Sequence, residues 1–287
     1  MSRLLVVGGT GLAGRAITAE AVARGHEVVV AARRVPDDDA PAYVDGAAYV
    51  TADIVTGAGL EEAVDGVDVL IDASNAVGRA ASHVFAHGSR NLLHTAARYG
   101  VGRAVLLSIA GIDGSRYPYY RAKLAQERTY LDSPLEVRIV RATQFHDFVT
   151  AIFERGRRFG TVTTPSGTRI QPIDVTDVAR AVVDAAEGAG EPGSIRTIGG
   201  PRIESARALA QKWKDATGTR RPILAVRLAG PLGTEWRAGR HLAPEHAVAG
   251  PDYAAWLSDA VEGTAPPAAA ASARRRPDGP STARRRP

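Results

Sequence analysis

Tyr119 and Lys123 stand four residues apart in Tyr119-Tyr120-Arg121-Ala122-Lys123, a spacing that puts two side chains on one face of a helix. A lysine ammonium beside a phenol favours the phenolate and lowers its pKa, which suits proton donation to a carbonyl oxygen. Ser108, 11 residues upstream, offers a hydroxyl that polarises the same oxygen. An ordinary surface Tyr-Lys pair has the same spacing, so the surroundings must decide between the two readings.

The decisive surroundings are at the N-terminus. The apolar run Leu4-Leu5-Val6-Val7 stops at Gly8-Gly9-Thr10-Gly11-Leu12-Ala13-Gly14, and a helical pattern begins there. Gly8 permits the tight strand-to-helix turn, Gly11 lets the backbone approach a pyrophosphate, and Gly14 lets the helix pack closely on its strand. The free N–H groups around Thr10 and Leu12 then face the phosphates at a helix N-terminus. A second strand, Glu27 to Ala31, completes the strand–helix–strand setting that a dinucleotide fingerprint requires. At its end stand Ala32-Arg33-Arg34 rather than an acid. Two guanidiniums suit a ribose 2′-phosphate, which a carboxylate would repel, so NADP(H) is favoured over NAD(H). Asp53, just after the third strand, either binds the adenine amino group or satisfies its own loop.

These residues need a scaffold, and its pattern is regular. Candidate strands at 3–7, 27–31, 47–51, 67–72, 103–108 and 135–141 alternate with helical patterns at 12–24, 57–65, 79–99 and 116–132. Such alternation predicts an α/β fold with a doubly wound parallel sheet, its ligand outside the carboxyl ends of the strands. Beyond 142 the expectation is a helix over 145–157, a strand pair at 160–163 and 168–171 joined by Thr164-Pro165-Ser166-Gly167, and a helix capped by Asp174. A strand at 194–198, a helix over 204–217 ending at Gly218, a strand at 222–226 and a helix over 250–260 follow. The reading is a core over 1–142, a small substrate-covering subdomain over 143–262 built partly on the same sheet, and a disordered tail over 263–287.

Composition narrows the class. The chain has 287 residues, 45% hydrophobic and 23% charged, which suits a soluble globular protein with ample core. It has no cysteine, which excludes disulfides, thiol catalysis and thiolate metal sites. No apolar run approaches membrane-span length and no signal-peptide layout is present, so the expected location is cytoplasmic with no membrane partner. Residues 264–287 hold six arginines and one acid; removing them from 36 basic and 31 acidic residues leaves 30 of each. The body is therefore formally neutral, and no nucleic-acid partner is expected for it.

Asp72-Ala73-Ser74-Asn75, Leu107-Ser108-Ile109-Ala110-Gly111 and Tyr119 to Lys123, with the glycine-rich turn, make the chain similar to extended or atypical short-chain dehydrogenase/reductases of the NmrA-like, NAD(P)-binding group. The resemblance spans roughly residues 1–260 and is most specific in the first half. It implies a Rossmann-type fold, adenine contact by Asp53, and a ribose region lined by Ser74 and Asn75. It also implies Tyr119 as the acid, Lys123 as its tuner and ribose anchor, and Ser108 as the third member. One departure stands out. Family members carry two or three consecutive small hydroxyl residues with the catalytic one later, whereas here Ile109 and Ala110 follow Ser108.

Gln144 and His146, after the sixth strand, fall where the family holds nicotinamide and substrate; a structural loop histidine is the competing reading of His146. His83, His87 and His94 share a helix face without a cysteine or carboxylate to complete a metal set, so no metal is expected; the resemblance implies a homodimer interface on that helix as the better home for them. The activity implied is NADPH-dependent reduction of a carbonyl or related group on a small molecule. The alternatives are an NADP-binding sensor without turnover, hydride transfer to a flavin or quinone, and an isomerase that retains its cofactor.

Overall fold

Short runs of Val, Ile, Leu and Ala that end in glycine or a polar loop form the strands. They are β1 (Arg3–Val7), β2 (Glu27–Ala32), β3 (Ala47–Thr51), β4 (Val69–Asp72), β5 (Arg103–Ile109) and β6 (Glu136–Ala142). The helices between them are α1 (Leu12–Ala23), α2 (Leu60–Val64), α3 (Ala80–His83), α4 (Ser89–Arg98) and α5 (Pro118–Leu131). The computed structural model describes residues 1–78, 80–156 and 160–261; the arginine-rich tail expected to be disordered lies outside them.

Six strands and a late seventh, β9 (Ile195–Ile198), form one all-parallel sheet in the order β3-β2-β1-β4-β5-β6-β9. The order reverses between β1 and β4, which opens a crevice at their carboxyl ends. The strands alternate strictly. Leu4, Val6, Val105 and Val140 face a core closed by α1 and by α7 (Val175–Ala186), while Leu5, Val7, Leu106 and Ile139 face a core that includes Leu60, Leu92 and Tyr130. Asp174 caps α7 by accepting from Thr176 N–H, as its position predicts.

Two expectations need correction. The helix over 79–99 is broken by a π-helical turn, Val84–Gly88, between α3 and α4, and this seats Gly88 where a Cβ would collide with Ile54. The strand pair after residue 160 is not a hairpin. β7 (Val162–Pro165) runs parallel to β11 (Ile223–Val226), and β8 (Arg169–Ile170) pairs with β10 (Glu204–Ser205). Val162 and Ile170 are both buried in a third core with Phe153 of α6 (His146–Gly156) and Trp213 of α8 (Ala206–Thr217). That burial overrides the short turn between the two strands. α8 stops at Gly218, whose φ of 63° is the left-handed closure expected of a glycine there. α9 (Gly230–Arg237) forms where the sequence pattern points to no element, and α10 (Tyr253–Val261) ends the described chain.

The seat of α1 on the sheet depends on one backbone approach. A Cβ on Gly14 would overlap the carbonyl oxygen of Gly8 and the Cα of Gly9. Gly14→Ala should therefore cost about 1–3 kcal/mol through overpacking, outweighing the gain of roughly 1 kcal/mol in helix propensity. Urea unfolding should show a lower midpoint with an unchanged slope; an equal or higher midpoint would refute the packing argument.

Candidate nucleotide-binding and proton-transfer site

The turn after β1 is built for an anion. Gly8 has φ +77°, and a Cβ there would strike Ser74 and the Ala73 carbonyl; a Cβ on Gly11 would meet only the Gly8 carbonyl, at 3.3 Å. Gly11 is exposed and serves as the N-cap of α1 without a side-chain hydrogen bond, and the first turn of α1 holds no acid. The N–H groups of that turn, with the positive end of the helix dipole, thus remain open to phosphate, with Thr10 and Leu12 half-buried beside them. Arg33 and Arg34 follow β2, both exposed and in no ion pair among the described residues. Asp53 is half-buried, and its Oδ1 accepts the N–H of Val55 at 2.8 Å, so this oxygen satisfies its own loop.

Further along the same edge three polar atoms are buried without a partner: Ser74 Oγ after β4, Ser108 Oγ in β5 and Gln144 Oε1 after β6. Unpaired buried groups are costly, and these three stand at the ends of adjacent strands, where they could bind a polar ligand. The glycine turn, the open helix terminus and this row fit a dinucleotide cofactor.

Tyr119 lies in the first turn of α5, and its hydroxyl donates to Asn75 Oδ1 at 2.9 Å. Burial, with Tyr120 and Tyr117 alongside, pushes its pKa up to about 12. The lysine effect expected of the pair is not what the structure builds. Lys123 is buried and donates to the Leu107 carbonyl at 3.0 Å and to Gln126 Oε1 at 2.8 Å. Its ammonium sits 4.7 Å from the centre of the Phe85 ring, and that ring meets Tyr119 edge-on. Burial lowers the Lys123 pKa to about 8, against the opposing pull of Asp72 and Glu127. The phenol is thus held protonated, and two of the lysine's three donors go to the β5 backbone and to its own helix. Ser108 shares the α5-facing side of β5 with Leu106, but it makes no hydrogen bond to Tyr119.

His146 is held mainly by packing. It is wholly buried, its Nε2 lies 3.1 Å from the Pro251 carbonyl, and its ring packs against Tyr253 and Trp256. Burial lowers its pKa and favours the neutral ring, and its Nδ1 is buried without a partner. His83 and His87 stack on each other in the open, and among the described residues no group of three or more His, Cys, Asp or Glu is placed to hold a metal.

The polar network behind the site was missed in the sequence. Asp72 Oδ2 accepts from Tyr130 at 2.6 Å and from Gln126 Nε2 at 3.0 Å, while its Oδ1 accepts Ser74 N–H at 2.8 Å. Gln126 also donates to Ser89. Lys123, Gln126 and Tyr130 recur at helical spacing, the one signal that could have exposed a polar stripe facing inward. Arg141 on β6 likewise grips Glu127 and Asp113, each through two hydrogen bonds.

With this geometry in place the relatives can be read. The model of the NAD(P)H-binding family matches residues 8–188. The chain belongs to that family. An uncharacterized protein of Mycobacterium tuberculosis is 36% identical over 106 residues, 37% of this chain but 12% of that protein, so the chain spans about an eighth of the curated relative. The NADPH-dependent quinone oxidoreductase QOR2 of Escherichia coli, in complex with NADPH, superposes with a TM-score of 0.72 at 18% identity, covering 89% of this chain and 98% of that one. The Bordetella bronchiseptica enzyme WbmG, in complex with NAD, reaches 0.66 at 17% identity over 90% and 92%. These likenesses show the Rossmann-type fold of NAD(P)-binding proteins. Among the described residues no helix is long and apolar enough to cross a membrane.

Lys123 generates a stability prediction for the family member as it stands without nucleotide. Its pKa falls from 10.5 to about 8 on folding, so between those values the unfolded chain holds a proton the folded chain has lost. Stability should therefore rise with pH from about 8 towards 10, by at most about 1.4 kcal/mol per unit, and be lost as pH falls through 8. Urea melts at pH 7.5 to 9.5 (about half-unit steps) should show that slope in the wild type and a flatter one in Lys123→Met. Equal slopes would mean Lys123 is not the group responsible.

Proposed function

We propose that this protein is an NADPH-dependent reductase acting on a carbonyl or related group of a small organic molecule. Bound cofactor supplies the hydride. The glycine turn with Gly8, Thr10, Gly11, Leu12 and Gly14 would hold the pyrophosphate, Arg33 and Arg34 the 2′-phosphate, and Ser74, Asn75 and Lys123 the ribose region. The observation that carries the reading is the Tyr119 hydroxyl at the carboxyl edge, donating to Asn75 Oδ1 at 2.9 Å beside the glycine turn's strand ends. A phenol held protonated has a proton to give to a carbonyl oxygen, and its raised pKa makes it a weaker acid than a lysine-tuned phenol. Ser108 Oγ, with no partner of its own, is free to donate to the same substrate oxygen, and Gln144 borders the substrate.

A second reading rests on Lys123. With its ammonium on the Leu107 carbonyl and Gln126, the proton machinery is weaker than in a tuned Tyr-Lys pair, which suits an acceptor that needs no protein proton. A quinone is such an acceptor, and the likeness to a quinone oxidoreductase supports it. A non-catalytic sensing role is a proposal of lower rank decided by the same experiments, and dimer formation is one decided by sedimentation.

Calorimetry should find NADPH bound more tightly than NADH by about 1–3 kcal/mol, and Arg33→Ala with Arg34→Ala should erase the difference. Equal affinities in the wild type would overturn the 2′-phosphate assignment. Tyr119→Phe keeps the ring and should retain NADPH affinity while carbonyl reduction falls by roughly 10²–10⁴-fold. Full turnover in that variant, across a panel of aldehydes, ketones and quinones, would shift the assignment to the quinone reading. Tight NADPH binding with no reduction at all would favour the sensor.

A further inference from the structure

Two consecutive residues of α9, Glu235 and Trp236, hold the segment that carries Tyr119. Glu235 is buried, and no lysine, arginine or histidine among the described residues pairs with it. Its carboxylate is satisfied instead by the Ser115 hydroxyl at 2.6 Å and the Arg116 N–H at 2.9 Å. Ser115 Oγ in turn accepts the N–H of Tyr117 at 3.1 Å. These donors stand immediately ahead of Pro118, where α5 begins, so the negative charge also meets the positive end of that helix. The neighbouring Trp236 donates through Nε1 to the Tyr120 hydroxyl at 3.1 Å and stacks on His241. Gly111 closes the contact from the other side, since a Cβ there would overlap the Arg240 carbonyl.

We infer that Glu235 is a positioning residue: from the C-terminal segment it fixes the start of α5 and thereby the place of the Tyr119 hydroxyl. The inference rests on the reading of Tyr119 as proton donor. Its reach comes from geometry, because Tyr119 and Tyr120 lie within the first turn of α5, directly after the residues Glu235 grips. A buried carboxylate whose partners are one hydroxyl and one backbone amide cannot shift without leaving its charge unpaired, so the clamp has one low-energy arrangement. It also explains a division of labour. The far end of Tyr119 is held by Asn75 from the loop after β4, while its helix is held by α9, so two distant segments converge on one phenol.

The test uses the full-length protein in two measurements. In hydrogen exchange, Glu235→Ala should speed exchange of residues 115–121 at least about tenfold while peptides of β1, β4 and β5 stay as in the wild type. In kinetics, Glu235→Ala should lower kcat about tenfold or more with NADPH affinity unchanged, and Ser115→Ala should lower it less. Glu235→Gln, which keeps one acceptor, should fall between wild type and Glu235→Ala. On a Tyr119→Phe background the Glu235→Ala loss should vanish, because the effect passes through the phenol. Unchanged exchange at 115–121, or a loss of equal size on both backgrounds, overturns the inference. If Tyr119→Phe alone keeps full turnover, the failure belongs to the proton-donor reading, and the exchange result then decides whether Glu235 anchors α5. Should Glu235→Ala fail to fold, Ser115→Ala and Glu235→Gln carry both measurements.

Discussion

Every strand of the central sheet runs the same way, and that single constraint brings the site together. Parallel pairing of Val7 with Asp72 and of Asp72 with Leu106 makes the strands end at one edge. Residues separated by about a hundred positions in the chain, Gly8 and Ser108 among them, therefore meet along a single rim. The order reverses between β1 and β4, so the chain leaves the sheet in opposite directions there and a crevice opens without any loop having to be carved for it. The glycine turn can then press against Ser74 across that reversal, which is why Gly8 tolerates no side chain.

Behind the rim, the buried polar network makes the arrangement specific. Asp72 joins β4 to α5 through Tyr130 and Gln126, and Gln126 extends the link to Ser89 and Lys123. A network of this kind rigidifies when every member is satisfied and is worse than an apolar core when one is missing. Lys123 belongs to this network as much as to the site. Its ammonium bridges α5 to the β5 backbone next to Ser108, which ties the position of one candidate group to the strand that bears another.

The scaffold was legible because periodicity reports which face of an element is buried, and it does so locally. The six leading strands and α1 fall within a few residues of where alternation and the glycine turn put them, and Asp174 and Gly218 mark helix ends by their own chemistry. Partner choice was not legible. The segment 160–171 has the look of a hairpin, yet its two strands are drawn to residues 223–226 and 204–205 by a shared apolar cluster. Tyr119 and Lys123 do lie on one helix, four residues apart, but the lysine's burial against Phe85 and Leu107 comes from other elements and left no local trace. His146 and Glu235 were illegible for the same reason. Their partners, Pro251 and Ser115, lie 105 and 120 residues away.

The late arrival of α7 and β9 has a consequence for how the molecule is made. Ile17 and Ala21 of α1 and the β1 face beneath them are covered by residues of α7, and β6 gains its outer neighbour only with β9. A ribosome synthesising from the N-terminus has therefore completed six strands of the sheet well before the segment that seals one of its two faces emerges. At about 5–20 residues per second, that interval lasts seconds, during which a broad apolar surface and an unpaired strand edge face the cell together. Chaperone capture and aggregation compete over that window, and a chain cut between β6 and α7 would make the exposure permanent.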